Sequence, residues 1–147
     1  VVVQTSTDGG ITYGVNGRIA APNPLFPGPM RILVVEDELL IRFMLSDGLR
    51  DEGYHVIEAC NADEALIILE SVVPDLIISD VRMPGSLDGM GLLTLVRQTL
   101  PKVPVIITSG HLQSNLAFAD GATQFIGKPY LMKVVIEAVR VELAEPL

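Results

Sequence analysis

The sequence predicts an α/β fold, a doubly wound five-stranded parallel sheet with helices on both faces. Two observations carry that prediction. From Arg31 onward, short aliphatic runs alternate with longer amphipathic segments, the pattern of strand–helix–strand units joined by right-handed crossovers. Each run then ends abruptly on polar residues, most visibly where Leu76-Ile77-Ile78-Ser79 meets Asp80. In an open parallel sheet, ligands bind just beyond the carboxyl ends of the strands, so Asp80 stands at the mouth of a site.

Taken in order, Ile32–Val35 reads as a buried strand that ends in Glu36-Asp37-Glu38. Leu39–Glu52 is a helix with Ile41, Leu45 and Leu49 on one face and Gly53 as its stop. His55–Ala59 is the second strand, and Asn61 caps a helix that runs to about Glu70 with Ala62, Ala65, Leu66 and Leu69 inward. Pro74 opens the third strand, Asp75–Ser79, leading to Asp80. Asp88 precedes a helix to about Thr99 carrying Leu92, Leu93 and Val96. Val105–Thr108 is the fourth strand and ends on Ser109-Gly110-His111; a short helix over Leu112–Ala119 stops at Gly121. Thr123–Ile126 is the fifth strand, followed by Gly127-Lys128-Pro129. The last helix runs from about Tyr130 to Ala144 with Leu131, Val135 and Ala138 facing in.

Residues 1–29 have a different character. Short β-like runs are broken by Asp8-Gly9-Gly10 and by Asn16-Gly17, and the second pair suits a type I′ hairpin between Ile11–Val15 and Arg18–Ala21. Pro22, Pro24, Pro27 and Pro29 then form a stiff, extended linker. The expected division is an N-terminal extension over 1–29 and one domain over 30–147. The leader is either the tail of a preceding domain or an upstream addition before Met30.

The 147 residues suffice for one core, which must be aliphatic because only 5% are aromatic. Eighteen acidic residues face 10 basic ones for a net charge of -8, and with only Asp8 and Arg18 in the leader, the excess belongs to residues 30–147. That balance argues against direct contact with nucleic acid or an anionic membrane, and suits a cation or a basic partner. Cys60 is the only cysteine, no apolar run reaches membrane-span length, and the start lacks a signal-peptide pattern. A cytoplasmic location is expected.

The polar residues that break the pattern fall at four strand ends: Glu36, Asp37 and Glu38, then Asp80, then Ser109, then Lys128. In a doubly wound sheet these ends share one edge. Two like charges at ~4 Å repel by about 4 kcal/mol at an effective dielectric of ~20. The cluster therefore needs neutralising by raised carboxyl pKa values, a cation or Lys128. Carboxylates plus water suit Mg²⁺. With a lysine and a hydroxyl opposite, Asp80 could attack phosphorus to give an acyl phosphate, and Ser109 could hydrogen-bond a phosphoryl oxygen. Glu38 reads as a first-turn residue favouring the helix N-terminus. His111 reads as an exposed loop residue, His55 as solvent-facing, Cys60 as inert, and the methionines as core filling.

The segments ILVVEDE, PDLIISDVRMPG with Asp88-Gly89 after it, PVIITSG and FIGKPY together resemble the response-regulator receiver family, the chemotaxis-type phosphoacceptor domain of two-component systems. The resemblance covers residues 30–145. It implies a flavodoxin-like sheet of strand order 2-1-3-4-5 and phosphorylation of Asp80 by a histidine kinase or phosphotransfer protein. It further implies Mg²⁺ (or Mn²⁺) bound by Asp37, Asp80 and the main-chain carbonyl of Arg82, with Glu36 acting through water. Lys128 would pair with the phosphoryl group, Ser109 would move toward it, Phe125 would swing inward as the switch aromatic, and the Lys128–Pro129 bond would be cis. The output is a shifted equilibrium of a protein-binding surface, with a downstream protein target and a phosphorylation-dependent homodimer as the expected associations. Two features depart from the family's pattern. The loop from Asp80 to Asp88-Gly89 is one residue longer, with Gly85-Ser86-Leu87 in it, and the span from Ser109 to Lys128 is about three residues shorter, so the fourth helix should be stubby.

Three other functions compete. An aspartyl-nucleophile phosphohydrolase would also use a strand-end Asp with Mg²⁺ and Lys, but it usually carries a second Asp two residues on, where this chain has Arg82. A receiver-like binding module without phosphorylation conflicts with intact Asp37, Asp80 and Lys128. A nucleotide-binding fold lacks its glycine-rich loop. The expected protein is a stand-alone receiver or the receiver piece of a hybrid kinase, not an enzyme beyond its own phosphorylation and dephosphorylation.

Overall fold

In the computed structural model, residues 4–7, 10–13, 28–111 and 114–144 are described. Strands β1 (Gln4–Thr7) and β2 (Gly10–Tyr13) form an antiparallel pair in which Thr7 faces Gly10. The hairpin expected at Asn16-Gly17, and the proline linker as far as Pro27, lie outside the described residues.

The main sheet holds β3 (Arg31–Val35), β4 (His55–Ala59), β5 (Leu76–Asp80), β6 (Val105–Ser109) and β7 (Gln124–Gly127). All pairings are parallel and the order is β4-β3-β5-β6-β7, the expected 2-1-3-4-5. Helices α1 (Leu39–Asp51), α2 (Ala62–Leu69), α3 (Gly89–Thr99) and α4 (Ser114–Ala119) fill the four crossovers, and α5 (Met132–Leu143) follows β7.

Strand side chains alternate between faces with period two, so a continuous aliphatic run feeds two cores. Leu33, Val35, Ile77 and Ile107 meet Ala62 and Ala65 of α2, Leu92, Leu93 and Val96 of α3, and Ala117 of α4. Ile32, Val34, Ile78 and Ile106 meet Leu45 and Leu49 of α1 and Val135 and Val139 of α5. Both cores reach the base of the same sheet edge.

The helix ends follow their local chemistry. Asn61 accepts from the Glu64 amide at 2.7 Å, and Asp88 accepts from the Gly91 amide at 2.8 Å, each satisfying an orphan donor of the first turn. At the end of α1, Gly53 adopts φ +93°, its amide donates to the Arg50 carbonyl, and the Tyr54 amide donates to that of Leu49. This is the paired closure that a glycine past the helix end permits. The fourth helix is six residues long, as short as expected.

Three expectations are corrected. Leu131 does not face inward: it is the extended residue preceding α5 and is 63% exposed, so the buried face passes through Met132, Val135 and Val139. Asp75 precedes β5 rather than starting it; its carboxylate accepts from the Arg31 amide at 2.7 Å and its own amide donates to the Arg31 carbonyl at 2.8 Å, stapling β5 to β3. His55 is half-buried opposite Arg31, and burial, then the charges of Arg31 and Arg50, push its pKa down. Among the described residues, no helix is long and apolar enough to cross a membrane.

Candidate functional site

The strand ends converge. The turn after β3 is held by the Glu36 amide on the Ala59 carbonyl at 3.1 Å and by Arg42, which donates to the Glu36 carbonyl at 2.9 Å. These bonds turn the Glu36 side chain inward, where it is 1% exposed, while Asp37 remains exposed beside it. One Glu36 oxygen accepts from the Glu38 amide at 3.1 Å and the other from Lys128 Nζ at 3.1 Å. Glu38 itself precedes α1 without a side-chain cap.

Asp80 ends β5 at 8% exposure. Its Oδ1 accepts from the Val81 amide at 2.8 Å and its Oδ2 lies 3.1 Å from Lys128 Nζ. A single ammonium therefore bridges carboxylates from two neighbouring strands. The Lys128 amide donates to the Ser109 carbonyl at 2.9 Å, and the Lys128–Pro129 bond that follows is cis, as expected. Ser109 is buried and its hydroxyl accepts from the His111 amide at 3.1 Å. Phe125 is half-buried on β7 opposite Ile107, packed against the α2–α3 core.

The electrostatics follow from that burial. Desolvation pushes the Glu36 pKa up, and Asp80 adds to the rise, while the Glu38 amide and Lys128 oppose it. For Lys128, burial works against the charged form, but the hydrogen bonds to Asp80 and Glu36 and their charges outweigh it, so its pKa is raised. The two shifts describe one unequal bargain: the fully enclosed Glu36 is the strained member and the partly solvated Lys128 the stabilised one.

Carboxylate oxygens of Glu36, Asp37 and Asp80 all lie within 4.8 Å of one another. An all-oxygen set at that spacing, with one carboxylate facing solvent, fits a hard divalent cation that keeps some of its water. Asp37 also lines an open cleft with Val81, Arg82, Met83, Pro84 and Asp88, so the Arg82 main chain borders the same space. Of the expected set, Glu36, Asp37, Asp80 and Lys128 thus converge directly, with Ser109 at the adjoining strand end and Arg82 in the rim.

Two site residues escape sequence reasoning. Gly89 starts α3 against β5: a Cβ there would collide with the Asp80 carbonyl oxygen and lie 2.9 Å from Val81 Cα. Only the pairing Asp88-Gly89 hinted at it. The Tyr130 hydroxyl is buried and, among the described residues, without a hydrogen-bond partner. Burial pushes its pKa up to about 12; Lys128 opposes the rise, and Glu36 and Asp80 add to it. An aromatic next to Pro129 reads simply as core, so nothing local marks it.

Comparison with known proteins identifies relatives of this chain. The nitrogen assimilation regulatory protein NtrX of Azorhizobium caulinodans is 41% identical over 103 residues, covering 67% of this chain and 23% of that protein. The DNA-binding transcriptional regulator NtrC of Salmonella typhimurium is 36% identical over 102 residues, covering 67% and 22%. The chain thus spans under a quarter of the length of these curated relatives. Among solved structures, the receiver domain of NtrX from Brucella abortus superimposes with a TM-score of 0.72 at 35% identity, covering 78% of this chain and 99% of that one. The chemotaxis protein CheY4 of Vibrio cholerae does so with 0.73 at 29%, covering 78% and 99%. The family model of the response regulator receiver domain matches residues 32–140, the sheet has the strand order 2-1-3-4-5, and the chain belongs to that family of two-component signalling domains.

Proposed function

We propose that residues 30–147 are a phosphoacceptor module that a histidine kinase, or a phosphotransfer protein, phosphorylates on Asp80. The observation that carries this reading is the Lys128 ammonium, 3.1 Å from both Asp80 and Glu36 beside a third carboxylate, Asp37. One Asp80 oxygen attacks phosphorus in line, the P–N bond to the donor histidine breaks, and its electron pair leaves with the imidazole nitrogen. Bound Mg²⁺ or Mn²⁺ would supply neutralising charge for the transferring oxygens, held by Asp37, Asp80 and the Arg82 carbonyl, with Glu36 through water. Lys128 shifts from the carboxylates to the phosphoryl group, and Ser109 donates its hydroxyl to a phosphoryl oxygen. That movement draws Phe125 inward and shifts the surface offered to a downstream protein or a second copy.

The module is a switch rather than an enzyme with an external substrate. A phosphohydrolase is disfavoured by Arg82 at the position where such enzymes place an acid. The DNA-binding named for NtrC is not carried over, since the match spans 22% of that protein and this chain is acidic overall. A cytoplasmic partner set fits the single cysteine. Incubation with a small acyl phosphate and Mg²⁺ should add one phosphoryl mass, and Asp80→Asn should abolish it. Labelling that persists in that variant would remove Asp80 as acceptor, and multiple turnover of a phosphate ester would favour the hydrolase.

A further inference from the structure

We propose that Asp63 and Ser86 form a latch that positions the outer wall of the cation site and so sets its affinity for the divalent ion. The inference rests on the phosphoacceptor reading above. Asp63 lies in the first turn of α2, on an element that contributes no ligand. Its Oδ1 accepts from the Ser86 hydroxyl at 2.7 Å and its Oδ2 from the Ser86 amide at 3.2 Å, so both carboxylate oxygens grip one residue 23 positions away. Between the latch and Arg82 stand only Met83, Pro84 and Gly85.

Gly85 makes the close approach possible. It adopts φ +119°, and a Cβ there would come within 2.5 Å of Asp63 Oδ2. Any other residue would be strained by that backbone and would push the carboxylate away. On the other side, Leu87 leans over Gly91 and packs on the α2–α3 core, and Gly89 abuts the Asp80 carbonyl. The loop from Val81 to Asp88 is thus tied at both flanks, while Arg82, Pro84, Gly85, Ser86 and Asp88 themselves are exposed. A main-chain ligand on an exposed loop binds well only where its position is fixed in advance, because ordering it on binding costs affinity. Asp63 is a positioning residue: it touches neither the ion nor the phosphoryl group.

Calorimetric titration of the whole chain with Mn²⁺, beside thermal unfolding without metal, tests this. Ser86→Ala and Asp63→Ala should each weaken Mn²⁺ binding by about three- to tenfold, the scale of one hydrogen bond, the double variant should be no weaker than the poorer single one, and Ser86→Thr should bind as the parent does. The rate of Asp80 labelling at saturating Mg²⁺ should remain within about twofold of the parent. Variants that bind Mn²⁺ as tightly as the parent would overturn the latch. So would additive losses in the double variant, or losses tracking a lower metal-free unfolding temperature. A parent chain that binds no Mn²⁺, or whose binding survives Asp37→Ala, would overturn the cation site itself, a failure distinct from that of the latch alone.

Discussion

The floor beneath Asp80 and the rim beyond it are neighbours held by different forces. On the floor, Ile78, Ile106 and Ile107 are fully enclosed in the central strands, and Ile126 nearly so; each enclosed side chain contributes roughly 1.5–3 kcal/mol through burial. On the rim, Pro84, Gly85 and Ser86 are exposed, and the described bonds fixing them to α2 are the two that Asp63 accepts from Ser86, each worth about 1 kcal/mol net. The floor must not move, because it aligns carboxylates that repel one another. The rim need only be biased toward one position, which a polar latch achieves without closing the site to a partner.

Damage to the floor should show first as lost stability. Ile78→Ala removes a side chain packed between the sheet and the α1–α5 layer and should cost about 2–5 kcal/mol in denaturant unfolding. A cost under 1 kcal/mol would mean the floor is looser than its burial indicates.

Gly89→Ala probes the boundary between the two regions. Its Cβ would collide with the Asp80 carbonyl, main chain that cannot rotate aside, and should cost about 1–3 kcal/mol. Here Asp80 labelling should fall more than stability does, because the displaced atoms belong to Asp80 itself. Labelling at the parental rate would show that α3 can retreat without disturbing Asp80.

The lysine that spans the floor should give an alkaline signature. Its pKa is raised above the ordinary 10.5, so the folded chain holds that proton more tightly than the unfolded chain. Its stabilisation is complete below about pH 10.5 and is lost as the pH climbs through the folded value. Lys128→Met should remove that step from the stability-against-pH curve. Glu36 gives the same downward slope in a lower window, although there the charged form is the disfavoured one: with its pKa raised above 4.5 by burial, stability declines as pH rises from there through the folded value. The smallest effect belongs to the rim, where Ser86→Ala should change stability by under about 1 kcal/mol while altering cation affinity.

Much of the floor was legible because its signals are local. Ile32–Val35 and Leu76–Ser79 are too short and too aliphatic to be anything but buried strands, and the polar residue ending each one stands where chain direction reverses into a loop. Other features depended on which segments meet. Leu131 and Met132 are both apolar, and the choice between them as the inward residue was decided by where α5 begins, with Met132 seated against Gly48 of α1. Arg97 reads as an ordinary helix-end cation, yet it donates to the carbonyls of Gly121, Pro101 and Val103 and binds α3 to two loops. Asp63 likewise reads as a helix-start acid, and its hold on Ser86 spans two crossovers.

By itself, then, the sequence determined the alternation of strands and helices, the apolar faces, and the set of Glu36, Asp37, Asp80, Ser109 and Lys128 at strand ends, because hydrophobic period and side-chain chemistry are written residue by residue. Only the tertiary structure decided that one ammonium would bridge Glu36 and Asp80, that Glu36 would be enclosed while Asp37 stayed exposed, and that Asp63 would hold the rim. Those are distances between groups far apart in the chain, and they exist only once the sheet has brought its edge together.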